Sequence, residues 1–301
     1  MCFVGSVVTS SYSIGVDGGG TKTDLILVDA AGAIVARHSA PGCSPSHVGV
    51  DRARAILTEA LVELRGDRAI GRTLLCMAGS PAAWAEIASL LHGFGVVATD
   101  TDAAPVLELA TDGAPGLGLH AGTGSFITAR APDGTVHYAG GLGWRFGDPG
   151  SATDIGRRAV AAGLLELQGW SPATALGEAL REHTGLPDAA AITRSFYSNP
   201  DANAHIAGFA RRVVELAQQG CRPAQVALAG SLADFVAQAR LVTERLFPGG
   251  EEIPCGVSGP LLNGESARYA LIALAQTHGW PVRYRFIAEP PIEGVRRLLL
   301  R

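Results

Sequence analysis

The sequence of 301 residues predicts an α/β fold made of two duplicated domains. Stretches typical of β-strands alternate with stretches of helical periodicity, which indicates a partly parallel sheet. A pattern of three strands around a hairpin rich in glycine and threonine also occurs twice, from Ile14 to Ala40 and from Leu117 to Gly141. Because the hairpin chemistry repeats together with the strand pattern, we predict a duplication with domains at residues 12–114 and 115–301.

Composition excludes several classes of protein. Hydrophobic residues make up 47% and charged residues 17%, so a large core is expected. The net charge is −4 and no dense cluster of lysine and arginine occurs, which argues against a nucleic-acid partner. We find no apolar stretch of transmembrane length, and the start "MCFVGSVVTSSYS" lacks the basic region of a signal peptide, so we interpret it as a short extension. We expect a cytoplasmic protein with no membrane partner.

The five cysteines are widely spaced and form no Cys-x-x-Cys pair. Free thiols in a reducing compartment are the simplest interpretation. A zinc site or an iron–sulfur cluster within one chain is not expected, because neither has a paired ligand motif.

The first half of the chain alternates strands and helices. After the opening meander, apolar periodicity predicts helices over Val48–Leu64, Pro81–Leu91 and from Ala103, and strands over Thr73–Gly79 and Val96–Asp100.

The second half is mostly helical. We predict helices over Ile155–Leu167, Ala173–Glu182, Asn203–Gln219, Pro223–Leu246, Ser266–Thr277 and from Ile292, and strands at Ile253–Leu262 and "RYRFIA". The stretch Val226–Phe235 resembles a strand that ends at Gly230, but Pro223 suits a first helical turn and favours a helix. The terminal "RRLLLR" is interpreted as an amphipathic helix that packs on the core.

The first hairpin, "IGVDGGGTKTDLILVD", raises a chemical question. One glycine is enough for a tight turn, so three in a row suggest that a ligand lies close against the backbone. A hairpin of glycine, threonine and lysine can present N–H groups and hydroxyls to an anion, and two such hairpins could hold a polyphosphate in a cleft between the domains. Asp17, at the end of the first strand, is placed to hold Mg²⁺ near those phosphates.

Four ordered motifs carry a resemblance to a known family. They are "GVDGGGTKTDLILVD", "TDAA", "HAGTGSFITARAPDGT" and "GGLGWRFGDPGSATDIGRRAV". Together they resemble the N-acetylglucosamine kinase / BadF-type ATPase family of the actin–hexokinase–Hsp70 superfamily, from Ile14 to the C-terminus. The resemblance implies two ribonuclease-H-like, actin-like ATPase domains with an interdomain cleft, ATP and Mg²⁺ as cofactors, and a homodimer.

The resemblance also assigns the phosphate loops and the base. The first loop would run from Asp17 to Thr21, and its phosphate-binding residues would be Gly18, Gly19, Gly20, Thr21 and the following Lys22. The second loop would be Gly122, Thr123, Gly124 and Ser125. A carboxylate after the central strand would take the proton from a sugar hydroxyl. Asp100 and Asp102 compete for that role, and the family spacing favours Asp102, which lies 20 residues before Gly122. Either aspartate could instead only cap the following helix.

The sugar side is assigned by the same resemblance. "GDPGS" corresponds to a Gly-Asp-Glu-Gly-Ser segment, so Gly147 and Asp148 would bind the sugar; a helix cap is the alternative role of Asp148. Pro149 replaces the family glutamate and Leu142 replaces a tryptophan, which leaves the sugar open. The loop Pro41–Gly49 lacks the usual asparagine, and Ser44, Ser46 or His47 could substitute, with Gly79 lining the same site.

The adenosine side would lie at "GVSGP", with Ser258 and Gly259, or at Gly230 if that stretch is a strand. His120 is expected to pack or cap, and Arg157 with Arg158 to start a solvated helix face. The resulting prediction is a kinase that transfers the γ-phosphoryl group of ATP to a small amino sugar, N-acetylglucosamine or glucosamine, at the 6-hydroxyl.

Two other functions stay open. A BadF-type ATPase that activates a partner enzyme would bind a cluster through cysteines, and Cys221 and Cys255 lie 34 positions apart with Cys255 before a glycine. A non-catalytic sugar sensor would lack a base, and both Asp100 and Asp102 argue against that.

Overall fold

The computed structural model describes residues 12–301. Two compact units divide this part of the chain, one extending to Asp112 and resuming at Glu289–Arg301, the other spanning Gly113–Ala288. The extension predicted at residues 1–13 lies outside the described residues as far as residue 11, and Tyr12 and Ser13 already belong to the first strand.

The first unit opens with a meander and continues as alternating helices and strands. Its elements up to Asp112 are β1 (Tyr12–Gly18), β2 (Lys22–Val28), β3 (Ile34–Pro41), α1 (Pro45–Val48), α2 (Val50–Arg65), β4 (Ile70–Met77), α3 (Pro81–Ser89), β5 (Val96–Thr101) and α4 (Ala103–Thr111). The strands form one sheet in the order β3-β2-β1-β4-β5, with the meander antiparallel and β1, β4 and β5 parallel.

The second unit repeats that topology and adds helices. Its elements are β6 (Gly116–Ala121), β7 (Ser125–Arg130), β8 (Val136–Gly140), α5 (Ala152–Leu167), α6 (Ala175–Thr184), α7 (Ala189–Ser198), α8 (Ala202–Gln218), α9 (Arg222–Leu246), β9 (Ile253–Ser258), α10 (Glu265–Thr277) and β10 (Val282–Phe286). The sheet order β8-β7-β6-β9-β10 matches the first unit strand for strand, with the same parallel and antiparallel pairs. The predicted repeat of the meander is therefore confirmed.

The chain ends with α11 (Pro291–Leu299), which belongs to the first unit. Its apolar side, formed by Ile292, Val295 and Leu299, packs on a small core with strand residues such as Ile26 and Leu74. The predicted domain 115–301 had placed this helix in the second domain. The sequence shows that the helix is amphipathic but carries no signal of which sheet it covers.

Helix α9 differs from the expectation that the chain holds no apolar stretch of transmembrane length. Within residues 12–301, it is long and apolar enough to cross a membrane by length and composition alone. Its buried residues, including Leu228, Leu232 and Phe235, belong to the hydrophobic core of the second unit, which accounts for its apolar character.

The helix predicted at Pro223–Leu246 is confirmed as α9, and Gly230 lies inside it. Helix α7 was not predicted. Its signal was an N-cap at Asp188, whose carboxylate accepts the N–H of Ala191 at 2.8 Å before a run of alanines.

Candidate active site

Asp17 lies at the carboxyl end of β1, in a row of side chains that crosses the first sheet. The strand register pairs Asp17 with Asp24 on β2 and with Cys76 on β4, and Cys76 in turn with Asp100 on β5. Because side chains at paired positions point to the same face, three carboxyl groups share one face at the carboxyl edge of the parallel strands. In open α/β sheets this edge is where ligands bind.

The two candidate bases occupy different surroundings. Asp100 is exposed, and its Oδ1 accepts the N–H of Thr101 at 2.7 Å. Asp102 is half-buried at the position before α4, yet its side chain makes no capping hydrogen bond to that helix. A purely capping role for Asp102 is therefore not supported.

The surroundings of Asp17 and Asp102 raise the pKa of both carboxyl groups toward neutral pH. Burial raises the pKa of Asp17 to about 7, with further increases from the charges of Asp102 and Asp24 and a decrease from Lys22. Burial also raises the pKa of Asp102 to about 6, and the nearby N–H groups of Asp102 itself and of Ala103 partly oppose that rise. Two carboxyl groups with little compensating positive charge form a site that attracts a cation.

The carboxylates at this edge of the sheet suit Mg²⁺ only if substrate phosphates and water supply the remaining ligands. Within residues 12–301, no group of three or more histidine, cysteine, aspartate or glutamate side chains is placed to hold a metal by itself. Mg²⁺ is usually bound through one or two carboxylates together with substrate phosphates and water. Asp17, with Asp102 close enough to shift its pKa, fits that pattern.

The first hairpin contains a glycine that protein packing does not require. A Cβ on Gly19 would meet only the carbonyl oxygen of Lys22, at an ordinary 3.5 Å, and its φ is not positive. Gly18 differs, because a Cβ there would collide with the side chain of Met77. Within residues 12–301, the N–H groups of Gly20 and Thr21 donate no hydrogen bond to the protein. A hairpin of this kind leaves backbone donors open to an anion.

Lys22 is the only lysine in the sequence. Its Nζ lies 2.8 Å from Asp24 Oδ2, and its side chain is 62% exposed. An exposed ammonium beside open N–H groups can turn to a phosphate at little cost.

The predicted sugar-side residues of the first unit lie next to this hairpin. Ser44 and Ser46 share a hydrogen bond between their Oγ atoms at 2.9 Å. A Cβ on Gly79 would lie 3.3 Å from Ser44 Oγ, and a Cβ on Gly20 would lie 3.3 Å from the ring of His47. The fold thus brings Ser46, His47 and Gly79 close to the first hairpin.

The second hairpin, between β6 and β7, is bonded to the segment that contains Asp148. Gly122 donates its N–H to Gly124 O at 2.9 Å, which closes the turn. Four further bonds join the two segments: Ala152 N–H to Gly122 O (2.9 Å), Thr153 N–H to Thr123 O (3.2 Å), Thr153 Oγ1 to Thr123 O (2.8 Å) and Ser125 Oγ to Pro149 O (2.6 Å). The hairpin and Asp148 are therefore held as one piece.

Asp148 is buried, with 6% of its surface exposed. Its Oδ1 accepts the N–H of Gly143 at 3.0 Å, and its Oδ2 lies 3.1 Å from the position of a Cβ on Gly124. Burial raises the pKa of Asp148, although the N–H groups of Gly143 and Leu142 oppose that rise. The alternative role as a helix cap is wrong, because Ser151 caps α5 by accepting the N–H of Asp154. Gly147 precedes Asp148 in the same turn.

The predicted adenosine-side residues lie at the end of β9. Ser258 is buried, and its Oγ lies 2.8 Å from Nδ1 of His120, so this hydroxyl already has a partner. Gly259 has a φ of +96°, and a Cβ there would lie 2.2 Å from Ala121 O, so only glycine fits. His120 stacks on Phe126 with ring centroids 5.0 Å apart, as expected of a packing residue.

The prediction that Arg157 and Arg158 start a solvated helix face holds for Arg157, whose side chain is 56% exposed, but it missed the ion pairs that both arginines make. Both pair with Asp154, whose side chain is 3% exposed, at 2.6 and 2.8 Å, and Arg158 also pairs with Asp234. Asp154 was missed by sequence reasoning. Its signal was the spacing of an aspartate three and four positions before two arginines, which places all three on one helix face.

The cysteines proposed for a cluster are poorly placed for one. Cys255 is buried in the core of the second unit, where burial raises the pKa of its thiol far above the ordinary value. Cluster ligands are thiolates that must reach the cluster, so this position disfavours the activating-ATPase alternative.

Comparison with known proteins finds relatives among ATPases and sugar kinases. The sequence profile described as "BadF/BadG/BcrA/BcrD ATPase family" matches residues 14–271. A curated relative, the N-acetyl-D-glucosamine kinase of Dictyostelium discoideum, is 30% identical over 195 residues, which cover 58% of this chain and 60% of the relative. The match therefore spans less than two thirds of that relative's length.

Two solved structures share the fold along nearly the whole chain. A candidate N-acetylglucosamine kinase from Chromobacterium violaceum has a TM-score of 0.80 and 27% identity, and the match covers 97% of this chain and all of that one. A second candidate N-acetylglucosamine kinase, from Porphyromonas gingivalis, has a TM-score of 0.76 and 21% identity, with 94% and 97% covered. The predicted fold class, two actin-like ATPase domains, is confirmed.

Proposed function

Because the chain belongs to the BadF/BadG/BcrA/BcrD ATPase family, we propose that it is an ATP-dependent kinase of an amino sugar. N-acetylglucosamine or glucosamine is the proposed acceptor, with the 6-hydroxyl as nucleophile. The relatives named as N-acetylglucosamine kinases support the acceptor class.

One observation carries the proposal beyond family membership. Asp102 is a half-buried carboxylate, free of helix capping, at the carboxyl edge of the first sheet and near Asp17. A pKa of about 6 leaves it ionised at neutral pH yet basic enough to accept a proton. A non-catalytic sensor has no use for such a group.

The proposed reaction is an in-line transfer. The sugar hydroxyl oxygen attacks the γ-phosphorus of ATP, the bond from that phosphorus to the bridging β–γ oxygen breaks, and ADP leaves with the electron pair. Asp102 accepts the proton that the hydroxyl loses. Positioning and charge stabilisation supply most of the rate in such reactions.

The two hairpins are the proposed phosphate ligands. Gly19 and Gly122 support this, because a Cβ on Gly122 would meet only His120 Nε2 at 3.8 Å, so packing requires glycine at neither position. Lys22 would leave Asp24 to contact a phosphate oxygen. Asp17 would hold Mg²⁺, which when bound neutralises charge on the phosphates.

Asp148 is the proposed sugar ligand of the second unit, with Gly147 beside it. A buried carboxylate can accept two hydroxyl protons and so select one stereochemistry. In the first unit, Ser46, His47 and Gly79 are the proposed sugar-side residues, and Ser44 supports Ser46 through their hydrogen bond.

The proposal is tested by measuring ADP release with glucosamine, N-acetylglucosamine, N-acetylmannosamine, N-acetylmuramic acid and glucose. We expect strong release with an amino sugar and loss of at least about a hundredfold in kcat for Asp102→Asn, since general-base catalysis contributes that much. Asp100→Asn is the matched control, because it removes the neighbouring exposed carboxylate, and we expect it to retain most activity. An equal loss of kcat in both variants would show that Asp102 is not the base. ADP release that does not depend on any sugar would reject the proposed kinase activity.

A further inference from the structure

The piece formed by the second hairpin and Asp148 is tied to the core of the second unit by one buried hydroxyl on α9. Ser231 has no exposed surface. Its Oγ accepts the N–H of Gly150 at 2.9 Å and donates to Asp154 Oδ2 at 2.7 Å. A hydrogen bond from the backbone two residues after Asp148 thus reaches helix α9.

Pro149 gives that contact its importance. Proline has no N–H, so Gly150 is the first residue after Asp148 whose backbone can donate a hydrogen bond. Gly150 also fits closely, because a Cβ there would lie 2.8 Å from the ring of Phe235 on the same helix. Helix α9 therefore meets this backbone at two points.

Asp154 fixes the direction of the Ser231 hydroxyl. Burial alone would raise the pKa of Asp154, but hydrogen bonds from Ser231, Arg157 and Arg158 outweigh it and hold that pKa below its usual value. An ionised Asp154 can only accept, so the Ser231 proton points to it and the Ser231 lone pairs remain for the Gly150 N–H.

We propose that Ser231 and Asp154 are positioning residues that set the location of the Asp148 carboxylate and the second phosphate hairpin through the Gly150 N–H. The inference rests on the proposed kinase function for its kinetic consequence. Both side chains are buried and neither is among the proposed substrate ligands, so we expect both to act through the segment 148–153.

A control on the same helix separates positioning from stability. Thr243 is also buried on α9, donates its hydroxyl to Ala239 O at 3.0 Å and accepts the N–H of Trp280 at 3.0 Å. Among residues 12–301, neither hydrogen-bond partner of the Thr243 hydroxyl lies in the segment that contains Asp148. Ser231→Ala and Thr243→Val each delete one buried hydroxyl that accepts one N–H and donates once.

Kinetics and backbone amide exchange are then compared in the full chain. Both variants should lose similar thermal stability. Only Ser231→Ala should raise the KM of the amino sugar and lower kcat/KM by roughly 10- to 100-fold, as expected of a misplaced binding group. Only Ser231→Ala should speed hydrogen exchange at the Gly150 amide, and Asp154→Asn, which keeps the side-chain shape, should change both readouts in the same direction.

Two results would overturn the inference. Kinetic constants for Ser231→Ala within twofold of those for Thr243→Val would reduce Ser231 to a structural residue. Unchanged exchange at Gly150 in both Ser231→Ala and Asp154→Asn would do the same without any substrate. If the wild type phosphorylates no sugar, the proposed function fails, and the exchange measurement still decides the positioning role.

Discussion

Substituting Gly294 by alanine tests whether α11 holds the candidate base in place. A Cβ on Gly294 would lie 2.2 Å from Pro105 O and 2.7 Å from Pro105 C, both backbone atoms of α4. Ordinary contact begins near 3.4 Å, so the two helices must separate by about 1 Å. Pro105 lies three residues after Asp102, so the displacement reaches the base.

The size of the effect can be worked out from the opposing contributions. Overpacking costs about 1–3 kcal/mol, and the better helix propensity of alanine returns about 1 kcal/mol. The difference between these contributions predicts that Gly294→Ala lowers the free energy of unfolding by about 0–2 kcal/mol. A shift of about 1 Å at a catalytic group costs on the order of a hundredfold, so kcat/KM should fall far more than stability suggests.

Urea unfolding and ADP-release kinetics measure the two quantities, with Gly208→Ala as the control. Gly208 is also helical, in α8, but a Cβ there would meet only His183 Cε1, at 3.6 Å. That variant should be as stable as the wild type or up to about 1 kcal/mol more stable, with unchanged kinetics. If Gly294→Ala behaves like Gly208→Ala in both assays, α11 does not position Asp102.

Two further predictions concern stability. Burial lowers the pKa of His120 to about 4; the unfolded chain therefore binds this proton first, and the stability present above about pH 6.5 is lost as the pH falls toward 4. Urea unfolding measures the decrease in the free energy of unfolding between pH 7.5 and pH 5, which should be about 2 kcal/mol smaller in His120→Gln than in the wild type. Equal decreases in the two proteins would contradict the lowered pKa of His120. Arg301 Nη2 pairs at 2.6 Å with Glu108, which is 2% exposed, and the buried Glu108 Oε2 has no hydrogen-bond partner among residues 12–301. Arg301→Gln should lower the free energy of unfolding by about 1–2 kcal/mol. The control Arg283→Gln breaks an exposed pair with Glu252 and should lower it by less than about 0.5 kcal/mol. Similar decreases in both variants would show that the buried carboxylate of Glu108 does not need Arg301.

Local sequence signals predicted the elements that depend on local physics. The meander around Asp17 and its repeat near His120 follow from alternation and turn residues, and both sheets confirm them. The preference for a helix over Val226–Phe235 depended on Pro223, and α9 confirms it. These features need only a few neighbouring residues to form.

Long-range placement could not be predicted in the same way. Nothing local indicates that α11 returns to the first sheet, or that Ser231 meets Gly150 across 81 positions of the chain. The pairing of Arg158 with Asp234 likewise joins residues 76 positions apart. Asp100 and Asp102 differ in burial, because Asp100 is exposed and Asp102 is half-buried. Burial depends on packing between distant segments, which the spacing of residues in the sequence does not describe. The roles of Asp102, Asp148 and the hairpins remain predictions.

The return of α11 to the first unit has a consequence for how the chain is made. During synthesis the sheet of the first unit leaves the ribosome before the second unit, but the helix that covers one face of that sheet emerges only after all of the second unit. Until then Ile26, Leu74 and Cys76 lack the apolar cover of Val295 and Leu299. The second unit, continuous from Gly113 to Ala288, can mature earlier, so the order of completion is the reverse of the order of translation.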